Sequence, residues 1–503
     1  MALSWTPPGK GEWRGLHDHF PRSLTPEFQT LLAEGMVAGE ADHFARYGLP
    51  ARTMQPGFVH GRVFIAAEPL VGPVSDRLPP APVLWAAARL VPAFVRRNRA
   101  ARRALRERIW LEETNQWYDV ERPDWEARNT ALADVDTSSL DDDDLAAHLR
   151  EARANAGDGY TSHFRLHGTD LMPTALFLTR SADFGVDAAT AARLLAGSSP
   201  ASTGAEGLPE WALVTGYDLD ERTACELPPR PRPPAPRSRA EAVAALEPLA
   251  RAQVPPQDRP EWDQRLADAR ATCGVRDDNG VLTAAWPVGL LRRAYLAVGD
   301  RLVDRGALAH REHTVELTVD ELVAALRGGP ALGADPVGAV ATGRQAERRR
   351  LSAEPAPAVL GPDVPLPTGV LPGPMRLMAR SLLTLRDLGI TPPGERPPLQ
   401  GDGIGDHPVT GRACVAADPV EALARFEPGD IVVTAGTAPA WNTVLALAGG
   451  VVTEEGGPLS HAAVIARELG LPALVGAAEA LALVPDGVTV ELDPVSGTIR
   501  VLS

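Results

Sequence analysis

Up to about residue 395, apolar residues recur every three or four positions, the period of a helix that buries one face. LDDDDLAAHLREARANA (Leu140–Ala156) opens with acids in its first turn, which suit the positive end of the helix dipole, and then keeps that spacing. Arg239–Val254, Pro260–Val275 and Leu290–Gly306 read the same way. TVDELVAALRGG adds an N-cap at Thr318 and closing glycines at Gly328 and Gly329. Strand candidates are few here; GFVHGRVFIAAE (Gly57–Glu68) is the best. Beyond residue 403 the texture changes. GRACVAAD, DIVVTAG, GGVVTEE, LPALVG, VTVELD and TIRVLS are short β-branched runs, and helix-like AWNTVLALAGG and SHAAVIARELG alternate with them. That alternation predicts a compact α/β domain.

Proline marks the joints. CELPPRPRPPAPRSRAE (Cys225–Glu241) cannot continue a helix or a central strand, and Ala353–Pro374 is a second proline-rich stretch. ITPPGERPPLQGDG (Ile390–Gly403) lies where the pattern changes. The expected organisation is multidomain: a mostly α-helical region over 1–395 with a break near 225–241, a linker over 396–403, and an α/β domain over 404–503.

Composition narrows the function. A chain of 503 residues with net charge −15 carries no basic stripe able to track phosphates, so nucleic acid is excluded as a partner. The densest cluster, VRRNRAARRALRER (Val95–Arg108), reads as the solvated face of a helix. Lys10 is the only lysine, so lysine chemistry would have to come from it or from a partner. Cys225, Cys273 and Cys414 are scattered and form neither a disulfide framework nor a zinc site. The N-terminus lacks the apolar core of a signal peptide, and the run Ala81–Val95 is too short to span a bilayer and contains Arg89. A soluble cytoplasmic protein without a membrane partner is expected.

The strongest chemical signal is GGVVTEEGGPLSHAAVIARELG (Gly449–Gly470). Gly456 and Gly457 permit a tight turn and close approach of an anion to the backbone. Ser460 is a natural N-cap and Gly470 a natural C-terminal stop. His461 then falls in the first turn, where the dipole disfavours an imidazolium and favours an anionic group on the ring. Arg467 lies within reach of such a group. By position alone His461 is either a capping residue or a phosphoryl carrier.

The full string resembles a known family. From Gly403 onward the chain is similar to the swivelling phosphohistidine domain of the phosphoenolpyruvate-synthase and pyruvate-phosphate-dikinase superfamily. Gly429–Thr434, Pro439-Ala440-Trp441, Val452-Thr453-Glu454, Gly456-Gly457, Ser460-His461-Ala462-Ala463, Ala466-Arg467-Glu468 and Leu471-Pro472-Ala473 carry the resemblance. It implies that His461 takes a phosphoryl group from ATP or phosphoenolpyruvate and carries it to an acceptor, with Thr453, Gly456, Gly457, Ser460 and Arg467 around it. Residues 1–395 resemble, less densely, the helical substrate domain of rifampin phosphotransferase-like members. That match rests on His19-Phe20-Pro21, Leu24-Thr25-Pro26, Leu291–Ala294, Gly299, Arg305-Gly306, Leu317-Thr318 and Asp320-Glu321-Leu322. Such members begin with an ATP-grasp domain, whereas the first residues here already resemble the substrate domain, and no Walker-type loop is read in the sequence, so an ATP-grasp domain within this chain is not expected. ATP and Mg²⁺ are therefore expected through a separate ATP-grasp partner, as in split arrangements such as phenylphosphate synthase.

One departure bears on the acceptor. The resemblance implies an Arg and a Lys one helical turn apart, and GVRDDNGVL keeps Arg276 but has Gly280 four residues on. Candidate acceptor-side residues are His17 and His19 in WRGLHDHFP, His163 and His167 in YTSHFRLHGTDL, and Arg292 and Arg293. The two histidines at i, i+4 stand as substrate-site residues or as packing, and without a defined third ligand no metal is assigned. HREHTVELT (His310–Thr318) reads as a loop. The expected function is a phosphotransferase component in which His461 carries a phosphoryl group to a small molecule bound in the helical region. Two alternatives stay open: an elimination or ligation enzyme that uses phosphorylation transiently, and a non-catalytic binding or regulatory subunit.

Overall fold

A computed structural model of the chain describes residues 3–17, 19–20, 22–195, 198, 218–220, 239–329, 336–364, 367–389, 397–405, 407–417, 419–437, 441–445, 447–457 and 460–502. Most of the proline-rich break at 225–241, residue 396 of the linker, and Pro439-Ala440 lie outside the described residues. The chain divides into two compact units, 1–168 with 209–228 and 278–376, and 169–208 with 229–277 and 377–503.

In the first unit, helix α1 (Pro26–Tyr47), the N-terminal part of helix α4 (Asp142–Asp183) and helix α6 (Trp286–Asp304) enclose one apolar core that includes Phe28, Leu31, Leu149, Tyr160, Leu291 and Tyr295. Helices α2 (Ala81–Leu90) and α3 (Pro92–Glu107) precede α4; α5 (Arg259–Asn279) follows it in the chain and belongs, up to residue 277, to the second unit. Two glycines of α1 bring it against α4. A Cβ on Gly35 would lie 2.5 Å from Tyr160 Cβ, and one on Gly39 would lie 2.4 Å from the Thr161 carbonyl. Thr318 caps Val319–Leu326 in a full capping box with Glu321, as the sequence suggests.

Two sequence expectations change here. Gly57–Glu68, read as one strand, is part of a hairpin of β2 (Ala51–Val59) and β3 (Arg62–Pro69). Its two-residue turn places His60 and Gly61 at φ +54° and +73°, the left-handed geometry that matches strand twist. With β1 (Trp13–Gly15) and β4 (Val359–Leu360) it forms a sheet ordered β2-β3-β1-β4. The helix predicted over 140–156 runs on to Asp183, through Pro173, because Leu166, Met172, Leu176 and Phe177 continue its buried face. His310–Thr318 contains a 3₁₀ turn, Arg311–Glu316.

In the second unit, Phe177, Trp262 and Leu266 centre a helical core. The C-terminal α/β portion is a seven-stranded sheet of β5 (Asp402–Ile404), β6 (Val409–Val415), β7 (Ile431–Thr434), β8 (Gly450–Thr453), β9 (Ala473–Val475), β10 (Thr489–Asp493) and β11 (Thr498–Val501). Its order is β11-β10-β6-β7-β8-β9-β5; β6 to β9 are parallel, and β10, β11 and β5 pair antiparallel at the flanks. The β-branched runs are buried on both faces. Val432 and Val451 join one core with Trp441, Ala463 and Ala466, while Ile431, Val433 and Val452 join the opposite one with Leu492. A mostly helical region followed by a C-terminal α/β portion is the architecture the residue pattern predicts. Among the described residues, no helix is long and apolar enough to cross a membrane.

Candidate functional site: a histidine at a helix N-terminus

Helix α7 (His461–Leu469) follows the C-terminal end of β8, the edge of a parallel sheet where ligands are usually met. Thr453, the last residue of β8, is buried and donates its hydroxyl to the Glu455 carbonyl at 2.7 Å. Gly456 turns the chain at φ +98°, and a Cβ there would lie 2.7 Å from Ser460 Cβ. Ser460 takes the N-cap position and accepts from Ala463 N at a long 3.4 Å, while Gly470 ends the helix at φ +62°. His461 is thus the first helical residue, where backbone N–H groups and the dipole favour an attached anion. Its Nδ1 lies 2.8 Å from the Thr437 hydroxyl, which is itself buried. Gly457 adjoins this turn and gives its carbonyl to Ser460 N at 2.9 Å. Arg467 lies in the last turn of α7.

Except for Arg276, which belongs to the second unit, the acceptor-side candidates fall into separate places in the first unit. His163 and His167 share one face of α4, with rings 5.0 Å apart. His167 Nδ1 meets Glu40 Oε1 at 3.1 Å, and the other oxygen of Glu40 meets His43 Nδ1 at 2.9 Å. Burial alone would raise the Glu40 carboxyl; hydrogen bonds from His167 and His43, with their charge, hold it down at about 2. Burial first, then His167 and His19, pushes His163 down to about 3. His17 is placed differently: its Nε2 contacts the Pro357 carbonyl at 3.1 Å and its ring stands edge-on to Phe64. His19 is exposed.

The two arginines serve main-chain carbonyls. Buried Arg292 donates to the Leu219 carbonyl at 2.7 Å, and Arg293 donates to those of Ala133 and Val135. Leu219 sits between Asp218, which accepts from Thr25 N at 2.9 Å, and Asp220, which pairs with Arg348 at 2.6 Å. Burial and the neighbouring Asp220 push the Asp218 carboxyl up. Arg276 lies in the last turn of α5. Gly280, where the resemblance implies a lysine, opens a π-helical turn, Gly280–Ala285. Asn279, just before it, donates to the His163 carbonyl at 3.1 Å and accepts from the Thr283 hydroxyl at 2.6 Å. Among the described residues, no group of three or more His, Cys, Asp or Glu could hold a metal ion.

Residues 426–497 match the family model of the PEP-utilising enzyme mobile domain. Through this domain the chain is similar to members of the PEP-utilising enzyme superfamily. It is similar to a rifampicin phosphotransferase of Streptomyces sp, 37% identical over 42% of this chain and 22% of that protein. A chondramide synthase of Chondromyces crocatus is 30% identical over 48% of this chain and 6% of its own length. A phosphoenolpyruvate synthase of Aeropyrum pernix is 39% identical over 22% and 14%. The matched part of the chain spans less than a quarter of each of these relatives.

Two residues of the structural picture escape a reading of the sequence. Thr437 of the mobile domain sits between DIVVTAG and the Pro439-Ala440-Trp441 string, and its hydroxyl was the available signal. Glu40 lies in AEGMVAGEADHF, where Gly35 and Gly39 four apart announce a close helix crossing and the carboxylate follows directly.

Proposed function

We propose that the chain is a phosphotransferase component in which His461 carries a phosphoryl group. The observation that carries this reading is the placement of His461: first residue of α7, capped by Ser460, with Nδ1 engaged by Thr437. That engagement assigns the phosphoryl chemistry to Nε2, and the helix N-terminus stabilises the dianion once it is attached. Gly456 keeps the turn ahead of the helix narrow, and Arg467 balances charge from the far end of the same helix. The donor is ATP with Mg²⁺ bound by an ATP-grasp partner, and ATP supplies the phosphoryl group. The acceptor is a hydroxyl of a small molecule in the helical region, with His163 and His167 as its contacts. Rifampicin, named for one group of relatives, is a reasonable first acceptor to try.

Incubating the chain with a small phosphoryl donor such as phosphoramidate should give an acid-labile, base-stable label at His461. The label should be absent in His461→Ala; persistence in that variant overturns the carrier role. A second reading is favoured by the similarity to a synthase over nearly half the chain. There the phosphoryl group activates a hydroxyl or carboxyl transiently, and the product leaves without phosphorus. The product mass separates the two.

A further inference from the structure

One stretch of the first unit opposes the charge of the whole chain. Residues 70–106 carry eight arginines and one acid, Asp76, in a protein of net charge −15. Helix α3 sorts its share by face. Ala101 and Ala104 are buried, and Gly48 at the end of α1 lets them in, since a Cβ there would lie 2.4 Å from Ala101 N. Arg96, Arg99, Arg102, Arg103 and Arg106 turn to solvent. Arg103 and Arg106 share Glu107, the one acid of the helix. Arg96, Arg99 and Arg102 have no ion pair among the described residues. The helix before it is apolar and uncovered. Between Leu78 and Val95 the only charged side chain is Arg89, and it is committed. Its guanidinium lies 4.0 Å over the Trp85 ring and donates to the Trp85 and Val370 carbonyls. Val71, Leu78, Val83, Trp85 and Leu90 are exposed, Trp85 by 53% and Leu90 by 77%. Only Ala88 of α2 is buried. The exposed positions Ala81, Pro82, Val83, Trp85 and Leu90 fan over about 200° of the helix circumference, so the apolar face is a convex ridge and not a groove.

We propose that α2 and α3 form a docking surface for an anionic lipid bilayer, the α2 ridge entering the headgroup region and the unpaired arginines of α3 meeting lipid phosphates. An apolar insertion and a basic cluster are the two signals that surface anchoring combines. Trp85 suits that boundary, because an indole has an apolar body and an N–H that stays wet. The chemistry of the ridge selects lipid over an acidic protein. A protein interface carries about one hydrogen bond per 100–200 Å², and beyond the committed Arg89 this ridge has only the Trp85 indole N–H to give. Acyl chains ask for no hydrogen bond. Nucleic acid would engage the arginines and leave the apolar ridge in water. The sequence expectation of a chain without a membrane partner rests on the lack of a spanning run, and a helix that lies in the interface needs no such length. The surface belongs wholly to the first unit and does not depend on His461.

The test uses vesicles of phosphatidylcholine alone and of phosphatidylcholine mixed with phosphatidylglycerol, with the bound fraction of the full chain read by sedimentation. The chain should bind the mixed vesicles, leave phosphatidylcholine alone unbound, and lose affinity as salt screens the exposed charges. Each arginine near such a surface contributes about fivefold, so Arg96→Gln, Arg99→Gln and Arg102→Gln together should weaken binding by about a hundredfold. Val83→Ser with Leu90→Ser should also weaken it, while the dependence on salt remains. All five positions are exposed, so both variants should unfold at the wild-type midpoint. Equal binding to the two kinds of vesicle, or equal binding by wild type and both variants, overturns the proposal. Immobilised polyglutamate is the second probe. Retention on it without vesicle binding overturns the lipid assignment in favour of an acidic protein partner, and binding to neither probe overturns the docking surface altogether.

Discussion

The Thr437 hydroxyl and Nδ1 of His461 lie 2.8 Å apart, joining the loop after β7 to the first residue of α7. The contact fixes the ring plane and commits one nitrogen, so phosphorylation should occur on Nε2 alone. Thr437→Val keeps the shape and removes the hydrogen bond, whose net worth is about 1 kcal/mol. We expect labelling of His461 to slow by about five- to tenfold, in proportion to that energy, with Thr437→Ser restoring it. Phosphorus NMR of the labelled chain reads the position; wild-type rate and position in Thr437→Val would refute the role.

Gly456 supplies a second test of the same turn. At φ +98°, with a Cβ 2.7 Å from that of Ser460, alanine faces both backbone strain and a clash. Such strain costs about 1–3 kcal/mol. Gly456→Ala should lower the unfolding midpoint of the C-terminal sheet and, by moving Ser460, slow labelling of His461. A variant with both quantities unchanged would show that the turn tolerates a side chain.

These residues also show what a sequence reveals. Ser460, His461 and Gly470 were legible because a cap, a first turn and a left-handed stop are local signals within ten residues. The parallel strands were legible because strands buried on both faces read as short continuous β-branched runs. Thr437 was not, because it stands 24 residues before His461 and reaches it only through the pairing of Thr434 with Thr453. Glu40 and His167 are 127 residues apart, and only the helix crossing joins them. The hairpin was missed because its turn puts His60, not a glycine, in the left-handed region.

The neutral burial of His163 sets a pH dependence of stability. Its folded value is about 3 against an ordinary 6.5, so between those values the unfolded chain binds a proton that the folded chain does not. Its contribution is therefore complete above pH 6.5 and is lost as pH falls toward 3. Glu40 acts in the same direction over a lower window, from 4.5 down to about 2. His163→Gln should thus show a smaller drop in unfolding midpoint between about pH 7 and pH 4 than wild type. Thermal unfolding at constant ionic strength checks this, and parallel curves for the two proteins would refute it.

Arg292 separates a structural role from an acceptor-binding one. Its side chain is buried, and its guanidinium donates to the carbonyl of Leu219, between two carboxylates that are themselves anchored to Thr25 and Arg348. Removing the charge strands that carbonyl and leaves Asp220 with less positive charge nearby, since Arg292 helps hold its carboxyl down. A lost hydrogen bond from a charged donor costs about 1.5–3 kcal/mol. Arg292→Met, which keeps much of the volume, should therefore lower stability by about that amount while leaving the rate of His461 labelling unchanged. Wild-type unfolding in Arg292→Met, combined with slower discharge of the labelled chain, would return Arg292 to the acceptor site. Loss of stability alone places it in the scaffold that holds Asp218–Asp220 against α1.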